Sequence, residues 1–385
     1  MKRYYFDYAA ATPLDAESRA AMRAAEAEFA NPASLHAEGR AAKEALESAR
    51  RTLAMILGAK SNEIVFTSGA TESDNMAILG SLTAAGEPGA RVLTLPTEHA
   101  AVRACTQVAR ASGYDVIELP VDETGLVSLE SIRSQMTDAT VLISIAMATS
   151  EIGTLQPIGE IGRFVREVRI DREQRGVAAP LIFHTDASSA LGLLPLAVDR
   201  LGVDLMTLSS VKSYGPQGVG ALYVRAGTPL TPLMIGGGQE RSLRAGTPSA
   251  SLAAGFAAAA QKAEKLRAEW VRQCGVWQQV FLDALGQVPG MRSNGHAKKR
   301  LANIVNLSFA RHDGEDLVLK LDAAGFAVAT GAACAESNDE PSHVLLGIGR
   351  SRAEAQSSLR ISFGRDTSEA SIRALADAIR KVVVQ

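Results

Sequence analysis

Residues Leu205–Pro216 read LMTLSSVKSYGP and combine a strand, a lysine and a turn. The residues up to Leu208 are typical of a buried strand, and Tyr-Gly-Pro at positions 214–216 is a turn signal. Lys212 therefore lies at the end of a strand, in a glycine-rich region. A lysine held in this way can have a lowered pKa and can form a Schiff base. Taken alone, Lys212 has a simpler interpretation as a solvated surface lysine.

Short strands of the same kind occur on both sides of this stretch, and helical patterns separate several of them. The strands are predicted at Glu63–Thr67, Arg91–Leu95, Asp115–Leu119, Thr140–Ala146, Leu181–Thr185 and Ala221–Val224. The helices are predicted at Gly39–Leu57, from about Thr71 onward, at His99–Ala111 and at Ile158–Val168. This alternation indicates an α/β fold with a mostly parallel sheet that helices cover on both faces.

The pattern changes after about Pro248, where a second set of elements begins. An alanine-rich helix is followed by a strand, a helix, a strand and a final helix, at Ala250–Leu285, Ile304–Phe309, Gly314–Ala324, Ala327–Ala329 and Ser368–Val383. We interpret this set as a smaller α+β C-terminal domain. The charged stretch Asp171–Ala179 is predicted to be a surface loop.

Composition limits the functions that the chain can have. Of its 385 residues 46% are hydrophobic, and the net charge is −2. This balance does not favour binding to nucleic acid or to an anionic membrane. The 3 cysteines form no CxxC pair and no Cys/His spacing, which argues against a disulfide framework and against a metal site. Neither a signal peptide nor an apolar run of about 18 residues is visible, so we expect a cytoplasmic protein.

A phosphate site is one interpretation of Thr67–Ser73, which reads TSGATES. A strand ends there, small residues form a turn, and a helix begins near Thr71. Unpaired N–H groups and the helix dipole at such a point favour a bound phosphate. The alternative is an ordinary strand-to-helix turn in which Thr71 is the N-cap.

Three further motifs contain side chains with useful chemistry. Asp186 closes the apolar run Leu181–Phe183, at the edge where open α/β sheets bind ligands. A carboxylate there can pair with a protonated pyridine nitrogen, although capping of the following turn is as common. Cys334 lies among small residues, which suits a reactive thiol on an accessible loop, whereas most single cysteines are buried and inert. Gly236–Thr247 combines glycines with arginines, which can bind carboxylate or phosphate; a flexible surface loop is the alternative.

Taken together, these motifs resemble the fold-type I pyridoxal-phosphate enzymes. More closely, they are similar to the cysteine desulfurases of nitrogen fixation and iron–sulfur cluster assembly. The resemblance extends over nearly the whole chain and is carried by Tyr5–Ala10, Asn31–Ser34, Thr67–Asn75, Gly331–Cys334 and Ser358–Arg360. It implies a large cofactor-binding domain with a seven-stranded sheet over residues 15–255. Residues 1–14 and 256–385 would form the small domain.

The resemblance also implies which residues hold pyridoxal 5'-phosphate. Lys212 is expected to bind the cofactor covalently and later to move the proton at Cα of the substrate. Asp186 is expected to pair with the pyridine nitrogen, and His99 to stack on the ring and assist proton transfer. Phosphate contacts are expected from four residues, the last of them supplied by the second subunit of a homodimer: Ala70, Thr71, Ser209 and Thr247.

For the substrate, the resemblance implies L-cysteine. Arg360 is expected to bind the carboxylate, with Ser150 near it. Cys334 is expected to attack the substrate sulfur, which leaves a persulfide on the protein and releases L-alanine. The loop Ala335–Pro341 resembles the longer active-site loop of one group in the family, which hands sulfur to an acceptor protein. That acceptor would be an iron–sulfur cluster scaffold or a tRNA-thiolation enzyme.

Four positions depart from the family pattern of His, Asn, Gln and His; in that order they are Val211, Ser150, Ser189 and Gln239. In the family the first three contact the phosphate, the substrate carboxylate and the ring hydroxyl. Serine is shorter than Asn or Gln, so a water must bridge or the contact is lost, at a cost of about 1.5–3 kcal/mol for a charged group. Two alternatives therefore stay open. One is a related pyridoxal-phosphate lyase acting on selenocysteine or cystine, and the other is a low-activity regulatory homologue.

Overall fold

The computed structural model describes residues 2–331 and 340–384. Its α-helices are α1 (Ala16–Glu26), α2 (Ala37–Leu57), α3 (Ala70–Ala85), α4 (Ala100–Ala111), α5 (Leu129–Gln135), α6 (Ile158–Arg175), α7 (Val198–Leu201), α8 (Ala250–Leu285), α9 (Gly314–Ala323), α10 (His343–Gly347), α11 (Arg352–Gln356) and α12 (Glu369–Val384). Its strands are β1 (Tyr4–Tyr5), β2 (Ile64–Thr67), β3 (Arg91–Thr94), β4 (Asp115–Glu118), β5 (Thr140–Ser144), β6 (Ile182–Asp186), β7 (Leu205–Ser209), β8 (Gly220–Val224), β9 (Met291–Asn294), β10 (Ile304–Phe309), β11 (Phe326–Ala327) and β12 (Ser358–Ser362).

Seven strands form the main sheet in the order β2-β8-β7-β6-β5-β3-β4. Strand β8 pairs antiparallel with both β2 and β7, and the remaining pairs are parallel. Helices α2, α6 and the first half of α8 pack on one face, and α3 and α4 pack on the other. Strands β5, β6 and β7 are buried along their whole length, as both-sided cover requires. The predicted α/β fold with a mostly parallel sheet is confirmed.

A second core lies around a small antiparallel sheet of order β12-β10-β9. Helix α8 reaches both cores, because Phe256 packs in the first and Phe281 in the second. Phe6 also packs in the second core, so the N-terminal segment joins the C-terminal elements. The division into residues 15–255 and residues 1–14 with 256–385 stays a prediction. Beyond residue 255, Phe256, Ala257 and Ala260 of α8 still pack in the core of the first unit.

One predicted loop is wrong. Helix α6 continues to Arg175 and ends at Gly176, which adopts the left-handed conformation (φ 73°) of a C-cap. The charged residues in this last part are not all solvated, because the buried Arg172 donates hydrogen bonds to the carbonyl oxygens of Thr137 and Thr140. Arg172 is charged, as residues of surface loops often are, but its guanidinium is buried because backbone carbonyl oxygens accept its hydrogen bonds. The sequence pattern alone does not distinguish a buried arginine at the end of a helix from a solvated arginine in a loop.

The described residues offer neither a membrane span nor a metal-binding cluster. No helix among them combines the length with the apolar composition that a bilayer crossing requires. Residues 2–331 and 340–384 contain no group of three His, Cys, Asp or Glu side chains arranged to hold a metal ion. Cys105 and Cys274 are buried in helices α4 and α8. Burial raises the pKa of both thiols, that of Cys105 to about 12, so neither is a good nucleophile.

Candidate active site

The candidate site lies where the parallel strands end. Strand β6 ends at Asp186 and β7 ends at Ser209, and in the register of the two strands Asp186 lies opposite Thr207. His99 follows β3 at the same edge of the sheet and begins helix α4. Two cavities of about 310 and 360 Å³ meet at this edge, and both are lined by His99, Asp186 and Lys212.

The first cavity reaches the start of helix α3 and is also lined by Ala70, Thr71 and Ser209. The N-cap of α3 is Gly69, not Thr71, so no side chain caps this helix end. A Cβ atom on Gly220 of the neighbouring strand would lie 2.8 Å from Gly69 Cα, so glycine is needed for this close approach. The first-turn N–H groups and the helix dipole therefore face a cavity suited to an anion.

Lys212 lies in the common wall of the two cavities. Its Nζ donates to Ser189 Oγ at 3.4 Å. Asp186 is only 9% exposed, and its Oδ1 accepts a hydrogen bond of 2.8 Å from the backbone N–H of Ser188. Ser189, which departs from the family pattern, therefore contacts the lysine itself.

His99 is positioned by the helix that it caps. Its Nδ1 accepts the backbone N–H of Ala101 at 3.2 Å, so the neutral ring carries its proton on Nε2. Burial, followed by the charge of Lys212, lowers the pKa of His99 from its ordinary value of 6.5, while Asp186 opposes the shift. The neutral imidazole is therefore favoured, with Nε2 as the atom that can give up or take up a proton.

The second cavity extends to Arg360 and Ser150. The Arg360 side chain is 7% exposed, and its Nη2 donates to Asp7 Oδ1 at 2.8 Å. Its Nη1 lies 3.4 Å from the backbone oxygen of Ser150. The backbone of Arg360, which lies in β12, exchanges two hydrogen bonds with Ala329 and so fixes the position of its Cα atom. A guanidinium with such fixed geometry suits a carboxylate ligand.

Sequence reasoning missed four titratable groups buried around the site: Asp74, Glu98, Glu151 and His184. Burial, and then the charge of Asp186, raises the pKa of Asp74 well above its ordinary value. Burial raises the pKa of Glu98 to about 8 and that of Glu151 to about 7, and it lowers the pKa of His184 to about 4. Their positions in the sequence could have identified them, since each lies in or within two residues of a motif that the sequence analysis singled out.

Two of the expected residues are not brought together with the others, and a third lies outside the described residues. Thr247 is exposed and lines neither cavity. Gln239, expected in or near the site, also lines neither, and its Oε1 accepts the Gly246 N–H at 3.2 Å. Both lie on the glycine-rich segment Gly236–Thr247, whose Arg244 pairs with Glu72 at the start of α3. Cys334 lies outside the described residues, although Gly331 on one side and Glu340 on the other line the second cavity.

Known proteins share this architecture. Residues 4–375 match the aminotransferase class-V family. The chain is 39% identical to the cysteine desulfurase IscS of Dictyoglomus turgidum, over 100% of this chain and 95% of the relative. It is 37% identical to IscS 1 of Archaeoglobus fulgidus, over 98% and 96% of the two chains.

Solved structures agree with these relatives. A NifS-like protein superimposes with a TM-score of 0.89 at 30% identity, covering 99% of each chain. A structure titled SspA in complex with cysteine superimposes with a TM-score of 0.77 at 32% identity, covering 93% of this chain and 98% of the other. The chain therefore belongs to the cysteine desulfurases of the aminotransferase class-V family, which are pyridoxal-phosphate enzymes.

Proposed function

We propose that the protein removes sulfur from L-cysteine, giving L-alanine and a persulfide on Cys334. Lys212 holds the cofactor covalently, Asp186 pairs with its pyridine nitrogen, and His99 lies against its ring. The thiolate of Cys334 forms a bond to the substrate sulfur while the carbon–sulfur bond of cysteine breaks, and the carbon product takes up protons to become alanine. The sulfur then passes to an acceptor, either a cluster scaffold or a tRNA-thiolation enzyme.

One observation carries this proposal. The three residues expected to contact the cofactor ring line both cavities, one of which ends at an uncapped helix start and the other at Arg360. A phosphate needs the first end and an amino-acid carboxylate needs the second. The order phosphate, ring, substrate is the order in which a pyridoxal-phosphate enzyme must arrange these groups.

The residues present fit pyridoxal phosphate. A lysine, a carboxylate and an imidazole meet at the shared wall, and Thr71 and Ser209 add hydroxyl groups near the helix start. When bound, the cofactor supplies an electron sink that stabilises negative charge at Cα of the substrate. Val211 stands where the family has a histidine that donates a hydrogen bond to the phosphate. Phosphate binding therefore depends more on the N–H groups of α3 and on the hydroxyls of Thr71 and Ser209.

The chain's own groups divide the remaining work. Arg360 orients the substrate through its carboxylate, and the Asp7 contact keeps the guanidinium in place. Lys212 and Nε2 of His99 hold and move protons near Cα. Ser150 is shorter than the usual asparagine, so a water between its hydroxyl and the substrate carboxylate is expected.

We further propose that the enzyme acts as a homodimer. Three consecutive apolar side chains, Leu233, Met234 and Ile235, are 41%, 47% and 88% exposed and precede the segment Gly236–Thr247. The buried pair of Arg50 and Glu240, with an Nη1–Oε2 distance of 2.6 Å, ties that segment to the main body. A second subunit would cover the apolar residues, and Thr247 of the partner subunit would then reach the phosphate.

The cofactor link gives the first prediction. Purified protein supplied with pyridoxal phosphate should show a visible absorption band that borohydride bleaches, because the reductant fixes the lysine–cofactor bond. The variant K212A should lose the band, whereas K262A, a matched change of a lysine paired with Asp15, should keep it. A band retained in K212A would assign the link to another lysine and refute the proposed site.

Substrate turnover gives the second prediction. With L-cysteine and a reductant, the protein should release sulfide and alanine in equal amounts. The variant C334A should lower this turnover by about 100-fold or more, because the thiolate that accepts the sulfur is absent, while C105A should not change it. Unchanged alanine release in C334A would exclude the persulfide route and favour a lyase. Parallel assays with selenocysteine and cystine would identify that lyase.

The protonation of His99 gives the third prediction. Because burial and Lys212 lower its pKa, the neutral ring should persist below pH 6.5, and kcat/KM should fall only as the pH drops further. The variant H99Q should lower kcat by about 100–10,000-fold and should lack this acidic limb. An identical acidic limb in H99Q, measured over pH 5–9, would assign the titration to another group.

The apolar surface gives the fourth prediction. The native protein should be a dimer by light scattering, and I235D should shift it to monomer and weaken pyridoxal-phosphate binding. L319D, a matched change at an apolar residue 69% exposed on α9, should stay dimeric. Retention of the dimer and of cofactor affinity in I235D would remove Leu233–Ile235 from the interface.

A further inference from the structure

Thr12 lies outside every motif that the sequence singled out, yet its side chain joins two backbone groups that flank Lys212. Its Oγ1 donates to the carbonyl oxygen of Val211 at 2.7 Å. The same Oγ1 accepts the backbone N–H of Tyr214 at 2.7 Å. One hydroxyl thus connects the residue before the lysine to the second residue after it.

The turn that Thr12 spans has an uncommon backbone. Tyr214 has φ 66°, a left-handed conformation that is rare for a bulky residue. Within the turn, the N–H groups of Ser213 and Gly215 both donate to Ser210 O, at 3.0 and 3.1 Å. A backbone in such a conformation persists only where its surroundings over-determine it. The two short hydrogen bonds of Thr12 are such a restraint, and they act at the lysine itself.

The N-terminal segment that carries Thr12 is docked independently of this hydroxyl. The backbone N–H of Thr12 donates to Val211 O at 2.9 Å, and that of Asp15 donates to Tyr214 O at 3.0 Å. Asp15 also binds Lys262 and Arg365. Removal of the Thr12 hydroxyl therefore leaves the segment in place and takes away only the bridge between Val211 and Tyr214.

We propose that Thr12 is a positioning residue that fixes the direction of Lys212 toward the cofactor site. The inference rests on the proposed role of Lys212 and deepens it. The hydroxyl holds the lysine turn in one conformation before the cofactor arrives, so Nζ meets the cofactor without a preceding rearrangement. It also keeps Nζ in place while the lysine moves protons.

The test compares T12V, which has nearly the shape of threonine and no hydroxyl, with T12S, which keeps the hydroxyl. T140V is the matched control. Thr140 is fully buried at the start of β5, so it lies at the amino ends of the parallel strands, away from the site at their carboxyl ends. Its Oγ1 accepts the Thr137 N–H at 3.1 Å. Thermal melting verifies folding, and T12A replaces T12V in the same comparison if T12V does not fold.

Three measurements follow on each variant. Hydrogen exchange on the cofactor-free protein should be about fivefold or more faster at the Tyr214 amide of T12V, because that amide loses its acceptor. The rate at which added pyridoxal phosphate forms the borohydride-reducible link should fall, and kcat should fall by about 10–100-fold. KM for L-cysteine should change by less than about threefold, because the Arg360 contacts are intact. T12S and T140V should match the native protein in all three.

Native-like exchange at Tyr214 in T12V would overturn the inference, since the bridge would then contribute nothing. Faster exchange with an unchanged linking rate and unchanged kcat would also overturn it, because the turn would be loosened without effect on the lysine. Failure of the proposed function is a separate result: it is a cofactor band that survives K212A, and it leaves the exchange at Tyr214 unaffected.

Discussion

The parallel pairing of β6 with β7 is the constraint on which the site depends. It sets Asp186 opposite Thr207 and brings the turn that contains Lys212 to the same edge, although 26 residues separate Asp186 from the lysine. Successive side chains of a strand point to opposite faces, so a slip of one residue would turn Asp186 away from its present face. The backbone N–H of Ala187, which donates to Thr207 O at 3.0 Å, extends the pairing past the strand end. Backbone hydrogen bonds therefore fix the relation between the carboxylate and the amine before any side chain contributes.

A second constraint is the charge buried at that edge. Asp74 and Glu98 are both inaccessible to solvent and close enough to Asp186 for its charge to raise their pKa values. Burial contributes most to both shifts, because a carboxylate in a low-dielectric interior loses its hydration. Both shifts favour the protonated, uncharged forms of these carboxyl groups, which reduces the negative charge near Asp186. Helix α3, which presents its uncapped end to the cavity, also carries Asp74, so one element bears on both the anion site and the charge balance.

Local pattern was sufficient to predict the elements that build the main sheet, and the reason is physical. Buried parallel strands are continuous apolar runs that need no information from distant residues. The alanine-rich helix predicted at about Ala250–Leu285 is likewise a local pattern, and it is confirmed as α8. The fold class and the cluster of Lys212, Asp186 and His99 followed from such runs together with the family resemblance. Contacts between distant segments did not follow. The hydrogen bonds of Thr12 to the lysine turn and the docking of Phe6 in the second core join residues about 200 or more positions apart, and no local pattern encodes them.

The N-terminal segment shows how such long-range contacts set the dimensions of the site. Asp7 holds the guanidinium of Arg360, and Thr12 holds the turn of Lys212. A fully extended chain of five residues spans about 17 Å, and the turn in which Ala10 N–H donates to Asp7 O at 3.1 Å shortens this span. The arginine expected to bind the carboxylate and the lysine expected to act at Cα are therefore tied together by a short link. Because Asp7 uses Nη2 of a guanidinium with five N–H donors, other donors stay available to a ligand. These contacts make the segment Asp7–Thr12 part of the active site, although it lies at the opposite end of the sequence from Arg360.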